Sequence, residues 1–155
     1  VKTKLHSGQA APDFAALDQH GNRRSLGEFQ DEWLLLYFYP KDNTPGCTTE
    51  ACQLRDNYEA LSAQMQVVGV SAGSVESHTK FATKHNLPFT LLADHDKRIT
   101  KAYGVGGIPL AKRTSFLISP EGTIVKVYEK VKPALHAQEL LNDFENVVET
   151  IYKSM

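Results

Sequence analysis

Apolar residues cluster along this chain instead of scattering. The densest cluster, Trp33-Leu34-Leu35-Leu36-Tyr37-Phe38-Tyr39, runs without a polar residue until Pro40 stops it. An unalternated run of this kind suits a strand covered on both faces, at the centre of a sheet. Gln66–Ser71 reads as a second buried strand, and Phe89–Leu92 as a shorter one. Between them the period changes. Ala51, Leu54, Tyr58 and Leu61 recur every three or four residues, which predicts a helix with Arg55, Asp56 and Glu59 on its other faces. A second helix is predicted over Val75–His85, with Asn86 at its end and Pro88 just beyond. Asp96–Tyr103 reads as a short third helix closed by Gly104.

Turn residues complete the pattern. Asp18-Gln19-His20-Gly21-Asn22 separates two short extended stretches, Asp13–Leu17 and Arg23–Leu26, which predicts an N-terminal hairpin. Ser119-Pro120-Glu121-Gly122 separates Thr114–Ile118 from Thr123–Tyr128, a second hairpin. Pro133 suits a first helical position, and a last helix is predicted from Ala134 to Tyr152. Its apolar stripe is Leu140, Leu141, Phe144, Val147, Val148 and Ile151. The central alternation of strand and helix implies parallel strands with right-handed crossovers, and the closing hairpin adds an antiparallel edge. The expected fold is α/β: one domain over residues 1–155, a mixed central sheet flanked by helices, with the N-terminal β-hairpin as an extension.

Composition narrows the function classes. The 155 residues are 41% hydrophobic and 23% charged, ordinary for a globular domain. The net charge of −1, from 17 basic and 18 acidic side chains, gives no reason to expect nucleic acid or an anionic membrane as partner. No apolar stretch approaches the roughly 20 residues that cross a bilayer, and Val1–His6 lacks the apolar core of a secretory signal. Two cysteines are too few for a disulfide-stapled secreted scaffold. The expected location is the cytoplasm, or an organelle after removal of a transit peptide.

Both cysteines lie where the chemistry is expected. Cys47 follows the central strand and opens a helix, at the carboxyl end of a strand where such sheets carry their sites. A helix N-terminus favours an anion, and the thiolate is the nucleophile. Pro45 fits a helix start, Gly46 allows a close approach, and Thr44 offers a hydroxyl. A free cysteine is otherwise most often a small buried hydrophobe. Cys52 lies five residues on. In a regular helix that spacing puts the Cα atoms about 8.6 Å apart on sides differing by roughly 140°, whereas a disulfide needs less than about 7 Å. Joining the thiols would require the first turns to unwind. On spacing alone, a core-facing Cys52 beside Ala51 is an equal reading. The six histidines, His6, His20, His78, His85, His95 and His136, are scattered and supply no ligand partner for either cysteine. Each reads as a surface or capping residue, and no metal or cofactor is expected.

The segment Tyr37-Phe38-Tyr39-Pro40-Lys41-Asp42-Asn43-Thr44-Pro45-Gly46-Cys47-Thr48-Thr49-Glu50 resembles the active-site segment of peroxiredoxins, specifically the Q or bacterioferritin comigratory protein type. The resemblance extends to Ala11-Pro12-Asp13-Phe14, to Arg113-Thr114-Ser115-Phe116-Leu117-Ile118, and to Lys132-Pro133 with His136-Ala137. It implies a thioredoxin-like fold and a thiol-dependent peroxidase acting on hydrogen peroxide and alkyl hydroperoxides. By position, Cys47 would be the peroxidatic cysteine and Thr44 would hydrogen-bond sulfur and peroxide. Arg113 would hold the thiolate, and Pro40 would shield the pocket. Cys52 matches the resolving cysteine of members that carry both thiols in one helix, the atypical two-cysteine arrangement. Thioredoxin, or glutaredoxin, is the implied reductant, no cofactor is implied, and a monomer is suggested. Glu50 could orient an arginine or be a solvated first-turn acid, and is left out of the expected site. A disulfide reductase would normally carry C-x-x-C, which this chain lacks. A redox sensor or holdase switched by the same disulfide is the alternative. Trp33 is near the active segment in sequence, so its fluorescence is expected to follow any change in the helix.

Overall fold

The computed structural model describes residues 5–106 and 112–154, and of the last helix it describes no side chain at 147, 148 or 150–154. The strands are β1 (Ala15–Asp18), β2 (Arg23–Ser25), β3 (Leu34–Phe38), β4 (Gln66–Ser71), β5 (Thr90–Ala93), β6 (Thr114–Ile118) and β7 (Ile124–Tyr128). They form one sheet in the order β2-β1-β5-β4-β3-β6-β7. Strand β3 runs parallel to β4, with Leu36 opposite Val68, and antiparallel to β6, with Leu36 opposite Phe116. Strands β4 and β5 are also parallel. The N-terminal hairpin joins the sheet through β1, antiparallel to β5, and β7 closes the other edge.

The pleat explains why the run 33–39 has no polar gap. Leu35, Tyr37 and Tyr39 face one core, with Cys47, Ala51 and Leu54 of α1 (Pro45–Asp56), Phe81 of α3 (Val75–His85), and Leu140 and Phe144 of α5 (His136–Ser154). Leu34, Leu36 and Phe38 face the other core, with Phe14, Phe29, Phe116, and Ile99 of α4 (Arg98–Ala102). Every residue of β3 and β6 is buried. This is the thioredoxin-like α/β arrangement, a mixed sheet with an N-terminal hairpin extension.

Several boundaries differ from the sequence pattern. The first helix does not continue to Leu61. It breaks at Asn57 (φ −105°, ψ 12°), and α2 (Tyr58–Ser62) follows. The Asn57 side-chain Nδ2 donates to the Gln53 carbonyl at 2.8 Å, sharing it with the Asn57 backbone N–H at 3.1 Å, a local side-chain bond of the kind that favours helix ends. Helix α4 is shorter than predicted because Lys97 is left-handed (φ 61°), while the Asp94 carboxylate accepts from the Ile99 and Thr100 amides. Pro133 lies in a turn before α5, not in it. The Lys132 carbonyl accepts from the Leu135 and His136 amides there. Of the predicted stripe, Val147, Val148 and Ile151 lie outside the described side chains.

Trp33 lies at the far end of β3 from Pro40, roughly 20 Å away along the strand. Its ring meets Phe144 edge-on, with centroids 5.3 Å apart. Its fluorescence therefore reports on α5 packing before it reports on α1. The reading of every histidine as surface or capping also fails. His78 and His136 are fully buried. His78 is held between Asp42 and the Leu92 carbonyl, and His136 between Ser115 and Glu139.

Candidate active site

The chain leaves β3 through Tyr39, whose amide still bonds the Val70 carbonyl at 3.1 Å. The loop from Pro40 to Thr44 then carries it to α1. Asp42, buried, fixes this loop. Its carboxylate accepts from the Tyr39 hydroxyl (2.7 Å) and the Ser77 hydroxyl (2.7 Å), and faces His78 Nδ1 at 2.6 Å. Burial opposes the Asp42 charge, but the His78 contact and the hydroxyl donors outweigh it and hold the carboxyl below its usual range. Asn43 takes a positive φ of 62°, a conformation asparagine tolerates, and turns the chain into the helix.

Thr44 is the N-cap in extended conformation, Pro45 is the first helical residue, and Cys47 is third. Cys47 therefore lies among the unpaired amides of the first turn. Its sulfur is buried at 1% exposure and free. The Thr44 hydroxyl donates not to the helix but to the Lys41 carbonyl at 2.9 Å. Pro40 is half-buried, and its carbonyl accepts from the Ser71 hydroxyl at 3.4 Å.

Arg113 enters from the residue before β6. Its Nη2 donates to Cys47 Sγ at 3.3 Å, and its Nη1 donates to Glu50 Oε1 at 2.7 Å. Two residues 66 positions apart in the chain thus meet at the helix start. Gly46 makes the approach possible, since a Cβ there would sit 2.9 Å from Nη2. Burial disfavours the Arg113 charge, yet the Glu50 carboxylate and the Cys47 sulfur more than compensate and raise its pKa.

Glu50, omitted from the expected site, stands in it beside Arg113. It is fully buried one helical turn from Cys47, and its second oxygen has no hydrogen-bond partner among the described residues. Burial pushes its pKa up to about 7, against the pull of Arg113. The signal was present in the sequence as the three-residue spacing from Cys47, which puts both side chains on one helix face. The Arg113 contact that decides between the two readings was not.

Cys52 is half-buried and free, further along the same regular helix. One expectation needs correcting here. A histidine does meet a cysteine: His85 Nδ1 lies 3.8 Å from Cys52 Sγ. Two such groups do not hold a metal, and among the described residues no cluster of three or more candidate ligands exists. No helix is long and apolar enough to cross a membrane among the described residues.

A buried sulfur at a helix N-terminus, bonded by a fixed cation, suits nucleophilic attack with charge leaving onto a nearby atom. Comparison with known proteins points the same way. The model of the AhpC/TSA family matches residues 7–127. Peroxiredoxin Bcp of Bacillus subtilis is 40% identical over 154 residues, covering 94% of this chain and 98% of that protein. The chloroplastic peroxiredoxin Q of Arabidopsis thaliana is 40% identical over 146 residues, covering 91% of this chain and 68% of that one. Among solved structures, a cysteine-to-serine mutant of Xylella fastidiosa PrxQ superposes with a TM-score of 0.87 at 31% identity, covering 94% of this chain and 98% of that one. The Xanthomonas campestris bacterioferritin comigratory protein, studied for alkyl peroxide reduction, superposes with a TM-score of 0.84 at 32% identity, covering 94% and 98%. The agreement spans the sheet, the hairpin and the thiol-bearing helix alike, and on it the chain belongs to the AhpC/TSA family, as a peroxiredoxin of the Bcp/PrxQ type and so a thiol peroxidase.

Proposed function

We propose that Cys47 is the peroxidatic nucleophile and Cys52 the thiol that resolves it. The Cys47 thiolate attacks one peroxide oxygen, the O–O bond breaks, and the other oxygen leaves as alkoxide or hydroxide to be protonated. Cys47 becomes a sulfenic acid. The 3.3 Å bond from Arg113 to Sγ carries this reading, because the guanidinium keeps its charge and can serve both the sulfur anion and the departing oxygen. Thr44 is assigned to the peroxide: its hydroxyl turns from the Lys41 carbonyl toward the bound oxygens. Pro40 keeps water from the sulfur. Glu50 aims Arg113.

Cys52 then attacks the sulfenic sulfur, which needs the first turns of α1 to open. The disulfide is reduced by an external dithiol of the thioredoxin type, with glutaredoxin as the other candidate. Residues 1–155 act as one domain and as a monomer. The sensor or holdase reading shares the same disulfide. Burial of Ala51 and Leu54 supports it, since opening α1 would expose both.

The test is peroxide titration followed by mass analysis under denaturing conditions. Wild type should give an intramolecular disulfide, and Cys52→Ser a trapped sulfenic or over-oxidised Cys47. Peroxidase activity surviving in Cys47→Ser would refute the assignment. Consumption of NADPH through thioredoxin and its reductase separates enzyme from sensor, and gel filtration tests the monomer.

A further inference from the structure

The thiol assigned to resolution has a neighbour that no local pattern of residues predicts. Cys52 Sγ lies 3.8 Å from His85 Nδ1, within reach of a hydrogen bond involving sulfur. His85 is the last residue of α3, just before the left-handed cap Asn86 (φ 51°). Its ring is held edge-on against Phe81, with centroids 5.2 Å apart. Its carbonyl accepts from Arg55 Nη1 at 2.7 Å. The contact is thus built from both sides: α1 reaches the end of α3 with Cys52 and Arg55 together.

We propose that His85 is the proton acceptor for Cys52 in the resolving step. This rests on the assignment of Cys52 as the resolving thiol. With the ring proton on Nε2, Nδ1 offers a lone pair to the thiol hydrogen. The charged groups around the ring are Arg55 on α1, paired with Asp56, and Lys84 on α3. Partial burial first, then Lys84 and Arg55, hold the imidazole below its ordinary titration range, so it is the free base at neutral pH.

The step balances without any added reagent. His85 takes the Cys52 proton while α1 is still folded. The thiolate released as α1 opens attacks the Cys47 sulfenic sulfur. The S–S bond forms, the S–O bond breaks, and the hydroxide leaving Cys47 is protonated to water, with the His85 proton returned through solvent. The Cys52 sulfur is oxidised as the sulfenic sulfur is reduced.

The test is stopped-flow measurement of the two steps separately, sulfenic acid formation and then disulfide closure, from pH 5.5 to 8.5. In wild type, closure should level off above the imidazole titration. In His85→Gln it should fall about 10-fold or more at pH 7 and then climb with pH without a plateau at the imidazole titration. Sulfenic acid formation should be unchanged. In His85→Ala, added imidazole should restore closure, which a merely structural loss would not allow. An unchanged closure rate and pH profile in His85→Gln, or no imidazole rescue in His85→Ala, overturns the role of His85 while leaving the Cys52 assignment standing. No Cys47–Cys52 disulfide in wild type overturns both.

Discussion

If the proposed reacting centre is right, the contacts of Arg113 with Cys47 and Glu50 carry separable consequences. Glu50 has its pKa raised, so the folded state holds the proton more tightly than the unfolded chain. Its contribution to stability is full below the unfolded value of 4.5 and is lost as pH rises through about 7. Catalysis runs the other way. The ionised carboxylate aims the guanidinium, so the peroxide rate constant should drop as pH falls through about 7. Stopped-flow rates should show that inflexion in wild type and not in Glu50→Gln, whose rate above pH 7 should be about tenfold lower. Gly46→Ala tests the approach of Arg113. Alanine favours a helix over glycine by up to about 1 kcal/mol, and the atom its Cβ would meet is the movable end of a long side chain. Denaturant unfolding should show no loss of stability. The peroxide rate should still fall about tenfold, because the guanidinium is displaced from Sγ.

In the proposed cycle, helix α1 would couple structure to redox state. Both cysteines lie within its regular span, so the disulfide geometry is absent while the helix persists. Oxidation should therefore remove about one to two turns of helix, read as lost far-UV circular dichroism and as faster amide exchange at residues 46–52. Cys52→Ser should keep its helix after one equivalent of peroxide. A wild-type disulfide formed with no change in either signal would mean that α1 need not open. The helices and strands themselves were legible from local pattern. Gln66–Ser71 and Val75–His85 appear with the predicted bounds because their hydrophobic period and cap residues are local. The breaks at Asn57 and Pro133 were not legible, since each depends on which carbonyl a single side chain or turn amide finds.

Across the whole chain, the proposed site is assembled from pairings between distant segments. Asp42–His78 spans 36 positions, Cys52–His85 33, and Glu50–Arg113 63. No period or spacing encodes such contacts. The bare residues gave Cys47 a place at a helix start, and family resemblance alone singled out Arg113. The Asp42–His78 pair ties the loop before α1 to α3, and through the Leu92 carbonyl to β5. Leaving a buried polar group without its hydrogen-bond partner costs about 1–3 kcal/mol. Asp42→Asn should lose stability of that order in guanidinium unfolding at pH 7. The Asp42 pKa is lowered on folding, so its contribution is present above the unfolded value of 3.8 and is lost as pH falls below it. The gap between wild type and variant should close in acid.

The break at Asn57 has a mechanical meaning. Thr44 and Asn57 bracket α1, with Thr44 next to the Asp42 anchor and Asn57 where the helix already ends. As helix, the 13 steps between them span about 20 Å, while the same chain drawn out would reach about 43 Å. Opening α1 therefore generates slack, not tension. Neither end has to be dragged, so the sheet is not pulled, although the face of β3 that Cys47, Ala51 and Leu54 cover is laid open. The surplus length leaves the new sulfur bond free to move away from the core. On the proposed cycle, a sulfur hidden from water in one half and offered to an external dithiol in the other would need only a single loose length of chain.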